Sequence, residues 1–216
     1  MELKELTQRL DAVKVVPVIA IDDVASSIPF ADALIEGGLP VAEITFRTAA
    51  AGDVIARISK ERPEVFVGAG TVLTVDNLKK AADCGAVFAV APGFDRQVVE
   101  AAIKMDFPFF PGIMTPSDVQ GALALGVKIQ KFFPAGPAGG PKMLSSLAAP
   151  FAHLGVKFIP TGGVSPDNLM DYLNLSVVLA AGGTWIAKRD TIADGKWDVI
   201  RENCRQVAKL VAQRKA

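Results

Sequence analysis

Histidine is nearly missing from this chain. There is one, His153, and one tyrosine, Tyr172. A His-rich metal site is therefore impossible, and a Ser–His–Asp triad could draw only on His153. That residue lies in "PFAHLG", a connection ahead of a strand, where a surface or packing role is the simpler reading. The cysteines, Cys84 and Cys204, stand alone without CxxC spacing, which suggests neither a disulfide framework nor a zinc knuckle. Excess charge is absent too. The 23 basic residues cancel the 23 acidic ones, so no global field draws the protein to nucleic acid or an anionic membrane. No apolar run approaches the roughly 20 residues that span a bilayer. The opening "MELKELTQRLDAVK" is amphipathic and charged, without the apolar centre of a signal peptide. These absences point to a soluble cytoplasmic protein in which a carboxylate, a lysine or water moves protons.

What is present is hydrophobic sequence in a regular order. Half of the 216 residues are hydrophobic, enough for a substantial core in one large barrel or two small domains. Short apolar, β-branched runs recur at 13–20, 41–47, 65–72, 87–93, 107–114, 128–134, 156–164 and 176–183. Between them lie segments of helical periodicity. "VASSIPFADALIEGG" closes on a Gly37-Gly38 stop signal. "TVDNLKKAADCGA" offers Thr74 or Asp76 as N-cap, and "TPSDVQ" and "SPDNLM" place Pro116 and Pro166 near a first turn. In the last helix Trp197, Ile200, Cys204, Val207 and Leu210 recur at helical spacing. Continuous apolar strands between helices indicate a parallel sheet covered by helices. Eight such units in this length predict an α/β protein of one domain over 1–216, a compact (β/α)8 TIM barrel with an extra N-terminal helix. A doubly wound open sheet is the structural alternative.

Polar residues break the strand pattern at two places. In "VAEITFR", alternation puts Glu43, Thr45 and Arg47 on one face and Ala42, Ile44 and Phe46 on the other. The apolar face should meet the helices, so the polar face points inward. Glu43 and Arg47 are about 13 Å apart along such a strand and cannot pair without bending. In "KIQKFFP", Ile129, Lys131 and Phe133 share a face. Lys128 can reach water at the start of the strand, but Lys131 lies between apolar side chains, where an ammonium is costly. The second and sixth strands have the same parity and lie across a barrel, so Glu43 and Lys131 can face each other. A buried structural ion pair competes evenly with a catalytic pair on these residues alone. Burial and a neighbouring cation such as Arg47 would both disfavour an ammonium. The free amine attacks carbonyls and forms a Schiff base, leaving Glu43 to move protons with no metal required.

The strand ends favour the catalytic reading. Gly162-Gly163 ends the seventh strand and Gly182-Gly183-Thr184 the eighth, the usual pair of phosphate-binding loops in this fold. Either pair alone is more often a turn. "GAGTVLT" has G-x-G without the third glycine of a dinucleotide fingerprint, so NAD binding has little support.

Taken in order, "VVPVIAI", "EITFRT", "GAGTVLT", "APGF", "FPGIMTPSD", "KFFPAG", "PTGGVSPDN" and "GGTWI" resemble the motifs of the bacterial 2-keto-3-deoxy-6-phosphogluconate (KDPG) aldolases, a family that also acts on 4-hydroxy-2-oxoglutarate. The resemblance covers essentially the whole chain. It implies a metal-independent class I aldolase on a (β/α)8 barrel, usually a homotrimer, that needs no cofactor. Its partners would be pyruvate and a phosphorylated keto acid. By the same resemblance Lys131 is the Schiff-base lysine and Glu43 the general acid/base. Arg47 and Thr71 hold the pyruvate carboxylate, Pro92 and Phe133 line the pyruvyl pocket, and Thr161 lies beside the sugar-acid hydroxyls. Gly162, Gly163, Gly183 and Thr184 match the phosphate end. The chain departs from the pattern at Thr184, where many relatives have serine, at Ala20, where some have arginine, and at Gly136, where close relatives often have an acidic residue. The expected reaction is cleavage of KDPG to pyruvate and D-glyceraldehyde 3-phosphate. A preference for 4-hydroxy-2-oxoglutarate or the 6-phosphogalactonate epimer is the first alternative. A phosphate-binding barrel isomerase or synthase is the second, and a non-catalytic binding protein gives no reason for an inward Lys, Glu and Arg together.

Overall fold

The computed structural model of the chain describes residues 2–214. Its strands are β1 (Val15–Ile19), β2 (Val41–Thr45), β3 (Phe66–Gly70), β4 (Ala89–Val90), β5 (Phe109–Phe110), β6 (Gly112–Ile113), β7 (Ile129–Phe132), β8 (Lys157–Pro160) and β9 (Ala181–Gly183). A helix, Leu3–Val13, precedes β1, and helices separate most successive strands. Every strand pairing is parallel. The result is an α/β fold with a curled parallel sheet, in the order β5-β4-β3-β2-β1-β9, beside a smaller sheet in the order β6-β7-β8. The chain runs directly from β5 to β6 through Pro111. On the other side, backbone bridges tie Phe158 to Val178 and Thr161 to Gly182.

The strands β1, β2 and β3 are buried along their whole length, as expected when helices cover one face of a parallel sheet and side chains fill the other. One contiguous hydrophobic core includes the fully buried rings of Phe30, Phe88, Phe110, Phe132, Phe158 and Tyr172. A proline splits one of the apolar runs. Pro111 has no N–H for a ladder, and the run at 107–114 is split there. Its carbonyl still accepts from the Lys131 N–H at 2.9 Å.

The helix signals act as their chemistry requires. The Thr74 hydroxyl accepts the Asn77 N–H at 3.1 Å. Thr115 and Asp118 form a reciprocal capping box with Pro116 in the first turn. The "SPDNLM" segment differs from the expected helix start. The Asn168 side chain accepts the Ser165 N–H at 2.9 Å, a turn closes on itself, and the helix begins only at Leu169. In the last helix, Trp197–Arg214, the buried stripe is Ile200, Cys204, Val207 and Val211, while Leu210 is half-buried. Among the described residues no helix is long and apolar enough to cross a membrane.

Candidate active site

Lys131 lies within β7, whose strand geometry sends its neighbours Gln130 and Phe132, both 0% exposed, toward the helices. The lysine points the other way and is buried at 5% exposure. Its ammonium meets both oxygens of Glu43, donating to Oε1 at 2.9 Å and Oε2 at 3.1 Å. Glu43, on β2, is itself only 4% exposed. Removing both members from water is expensive, and such pairs are often less stabilising than an apolar replacement. The pair also holds a labile proton. Ammonium with carboxylate and amine with carboxylic acid carry the same net charge, so one proton shift across 2.9 Å yields a nucleophile and an acid together.

Gly70 makes room for this carboxylate. It stands opposite Thr45 in the β2–β3 register, and a Cβ there would lie 2.2 Å from Glu43 Oε1. The second glycine of "GAG" is thus a clearance for the acid. The sequence offered only the glycine itself as a signal.

Arg47 departs from the expected placement. The strand ends at Thr45 and the chain turns, so Arg47 is exposed at the mouth and is not an inward neighbour of Lys131. The charge in direct contact with Lys131 is the opposite one, Glu43. Arg47 is nevertheless anchored. Its Nε–H donates to Thr45 Oγ1 at 3.1 Å, and the Thr45 hydroxyl donates to the Ile19 carbonyl at 2.9 Å. Thr45, 1% exposed, shares the Glu43 face by alternation, so the signal for it was present.

The remaining candidates surround the pair. Glu43, Arg47, Thr71, Pro92, Lys131, Phe133, Thr161, Gly162, Gly163, Gly183 and Thr184 all line one cavity of about 120 Å³, together with Val18, Thr45 and Val164. The Phe133 ring centroid is 5.8 Å from Lys131 Nζ, within reach of a cation–π contact. Thr71 has φ 58°, a left-handed conformation that costs a non-glycine residue about 1–3 kcal/mol. Gly162 and Gly163 adopt φ 87° and 82°, which keeps their backbone open toward the mouth at no steric cost. Gly136 packs against that turn: its N–H donates to the Gly162 carbonyl at 2.7 Å, and a Cβ would stand 3.1 Å from Gly163 Cα. An acidic side chain at 136 would crowd the turn.

Other nucleophiles and ligands lie elsewhere. Burial pushes the Cys204 thiol up to about 12 and raises that of Cys84, and neither lines the cavity. His153 is exposed in the 3-10 segment Ala149–Leu154. Among the described residues no three His, Cys, Asp or Glu side chains gather as a metal site. A larger cavity, about 360 Å³, lies at the opposite ends of the strands beside Phe107, Pro108, Val127 and Lys128. It holds no buried lysine–carboxylate pair.

Fold and geometry together define a parallel α/β protein with a buried amine–carboxylate centre able to form imines. The sequence profile described as KDPG and KHG aldolase matches residues 6–203, and the chain belongs to this aldolase family. It is 38% identical over 208 residues to the 2-dehydro-3-deoxy-phosphogluconate aldolase of Haemophilus influenzae, covering 96% of this chain and 97% of that one. It is 43% identical over 195 residues to the KHG/KDPG aldolase of Escherichia coli K12, covering 90% and 91%. Among solved structures it is similar to the KDPG aldolase of Legionella pneumophila with pyruvate captured as a covalent carbinolamine. There the TM-score is 0.89 at 36% identity, over 93% of this chain and 97% of that one.

Proposed function

We propose that this chain cleaves KDPG to pyruvate and D-glyceraldehyde 3-phosphate as a class I aldolase, without metal or cofactor. The observation that carries the reading is the buried, two-pronged contact between Lys131 and Glu43. The Lys131 amine adds to the keto carbon of the substrate, and Glu43 supplies the proton that makes the carbinolamine hydroxyl. Protonated again, that hydroxyl leaves as water and an iminium remains. Glu43 then takes the proton of the C4 hydroxyl, directly or through a water. The C3–C4 bond breaks, its electrons pass to the iminium, and the aldehyde departs. The enamine is protonated and hydrolysed to pyruvate and free lysine.

Around these groups, Arg47 and Thr71 hold the keto-acid carboxylate, and Pro92 and Phe133 wall the pyruvyl group. Thr161 faces the hydroxyls, while Gly162, Gly163, Gly183 and Thr184 receive the phosphate end. We further propose one domain over 1–216, a closed (β/α)8 barrel with Leu3–Val13 as an extra helix at its foot, assembled as a cytoplasmic homotrimer. Cleavage of 4-hydroxy-2-oxoglutarate is a second activity of the same centre, supported by the double name of the Escherichia coli relative. The ratio of kcat/KM for KDPG, its 6-phosphogalactonate epimer and 4-hydroxy-2-oxoglutarate ranks the three. The decisive test is borohydride reduction in the presence of pyruvate, followed by peptide mass mapping. A stable adduct on Lys131 is expected, and an unmodified Lys131 in active enzyme would end the proposal.

A further inference from the structure

Two glycines of β3 flank Glu43, and each leaves room for a different side chain. In the β2–β3 register Glu43 stands opposite Gly68 and Thr45 opposite Gly70. By alternation both glycines face inward with Glu43, and Gly70 lies nearer the mouth by about 7 Å. Over Gly70 lies the carboxylate, where a Cβ would stand 2.2 Å from Oε1 and 2.8 Å from Cγ. Over Gly68 lies the ring of Phe88, the residue just ahead of β4. A Cβ on Gly68 would stand 2.3 Å from its Cζ and 2.4 and 2.5 Å from its two Cε atoms. The ring therefore enters tip first, and it is 2% exposed.

The Glu43 side chain has two glycine-lined places to lean into, one beside its register partner and one nearer the mouth. The Phe88 ring has taken the first. In the second, the carboxylate meets Lys131 Nζ with both oxygens, at 2.9 and 3.1 Å. The ring is held in turn. The Ala69 N–H donates to the Phe88 carbonyl at 2.9 Å, which fixes the backbone it projects from. Phe110 stacks on it with centroids 5.9 Å apart and planes at 28°. Phe110 lines the cavity of about 360 Å³ at the opposite ends of the strands, and Phe88 and Glu43 do not. The two rings thus stand between that cavity and the carboxylate.

We infer that Phe88 is a positioning residue for the aldol reaction. Seated on Gly68, its ring denies Glu43 the lower place and holds the carboxylate at Lys131. The inference rests on the aldolase reading above, through Glu43 as the group that moves protons. Phe88 does not line the Lys131 cavity, so it acts only through the glutamate.

The test follows exchange of the pyruvate methyl protons in deuterated water by NMR. The Lys131 iminium gives up a methyl proton to a base and the enamine takes back a deuteron, so exchange needs the amine and the carboxylate but no aldehyde. Rates are counted per Lys131 trapped with pyruvate and borohydride, which leaves misfolded protein out of the comparison. Phe88→Leu withdraws the ring tip and should lower kcat about tenfold, short of the roughly 10²-fold cost of a full ångström of misplacement. KM for pyruvate should stay within about twofold, because Arg47 and Thr71 are untouched. Gly68→Ala, whose methyl competes with the ring for one place, should do likewise. Combined, the two should return to within about threefold of the parent, since the methyl fills what the shorter side chain leaves and contacting residues couple in this way. Phe158→Leu is the control. Phe158 is a fully buried ring of the same core, on the face of β8 opposite Ile159 and Thr161. It should lose stability in urea and keep the parent kcat. Parent-like kcat in Phe88→Leu, losses that multiply in the double variant, or an equal loss in Phe158→Leu overturns the positioning role. With an adduct on the parent Lys131, any of those results sinks the positioning alone. No adduct in the parent protein removes the aldolase reading and the positioning with it.

Discussion

Lys14 stands just before β1 and Lys131 inside β7, and both are buried, at 7% and 5% exposure. Lys14 answers its charge locally. It caps the helix Leu3–Val13 in a left-handed conformation, and its Nζ bonds Asp11, one turn back on that helix. The Asp11 side chain is 61% exposed, so the ion pair sits at the water boundary while the aliphatic stem is covered. A cation at a helix C-terminus is also favoured by the helix dipole. Lys131 has none of these comforts. Its partner comes from a strand 88 residues away in sequence, and both side chains are dry, 6% and 5% exposed. Burial alone therefore does not distinguish the two lysines. The exposure of the partner does.

The comparison breaks most visibly under paired substitutions. Lys131→Met should lower kcat by about 10⁴-fold or more, the scale seen when a covalent nucleophile is lost. Lys14→Met should leave kcat within twofold. Stability should divide the same way. Lys131→Met leaves Glu43 buried without a partner and should cost about 3–5 kcal/mol, while Lys131→Met with Glu43→Leu should return to the parent stability or exceed it. Lys14→Met should cost no more than about 1 kcal/mol, as for a solvent-edge pair. Urea denaturation read beside the activity assay checks both. A double variant as unstable as Lys131→Met would mean the pair is there to hold the fold.

Lys131 and Glu43 were legible in the sequence because each violates a strand's apolar alternation, and matched parity put them face to face. The glycine pairs at 162–163 and 182–183 were legible for the same kind of reason, a repeated signal at two neighbouring strand ends, although only Gly162-Gly163 is a turn and Gly182-Gly183 closes β9. Arg47 was placed on the inward face of the second strand, whereas it lies in the turn after β2 ends at Thr45. Where β2 ends depends on its pairing with β3 through Thr45 and Gly70, which no local pattern encodes. Gly70 itself looked like half of a dinucleotide fingerprint, because its use lies in a side chain from the adjacent strand. The cavity of about 310 Å³ that Val18, Ala20, Arg47, Thr48, Thr184 and Lys188 help to line was out of reach altogether. It exists only where residues 18–20 and 47–48 meet 184–189. A proline interruption explains why the run at 107–114 overstates its strand, since a run of hydrophobic residues records burial while a ladder also needs N–H donors.

A gentler way to disturb the dry pair is to leave both members in place and move one. Gly70→Ala would put a methyl carbon 2.2 Å from Glu43 Oε1 and 2.8 Å from its Cγ, closer than such atoms approach, so the carboxylate must shift. A displacement near 1 Å costs on the order of 10²-fold in rate. The expected signature is a fall in kcat of that size with the pyruvate adduct on Lys131 still trappable, because the amine remains. A Gly70→Ala enzyme with parent kcat would show that Glu43 is not held where the reaction needs it.

The smallest effect concerns the wet side of the site. Thr45 is buried, but it works on Arg47 at the mouth, accepting from its Nε while donating to the Ile19 carbonyl. Thr45→Val keeps the shape and removes both bonds. Arg47 then loses its tether and the Ile19 carbonyl a donor. Losing a hydrogen bond to a charged group is worth about 1.5–3 kcal/mol when the group is fully held. Arg47 is exposed, so water replaces part of that, and an effect near tenfold is expected. It should fall on the KM for pyruvate in the condensation direction, with kcat within about threefold, since the amine–carboxylate pair is untouched. Rescue by Thr45→Ser, which restores the hydroxyl, separates positioning of Arg47 from simple loss of packing. If Thr45→Val lowered kcat and left KM alone, Thr45 would belong with the dry pair, and the division between a buried reactive centre and a solvated binding rim would have to be redrawn.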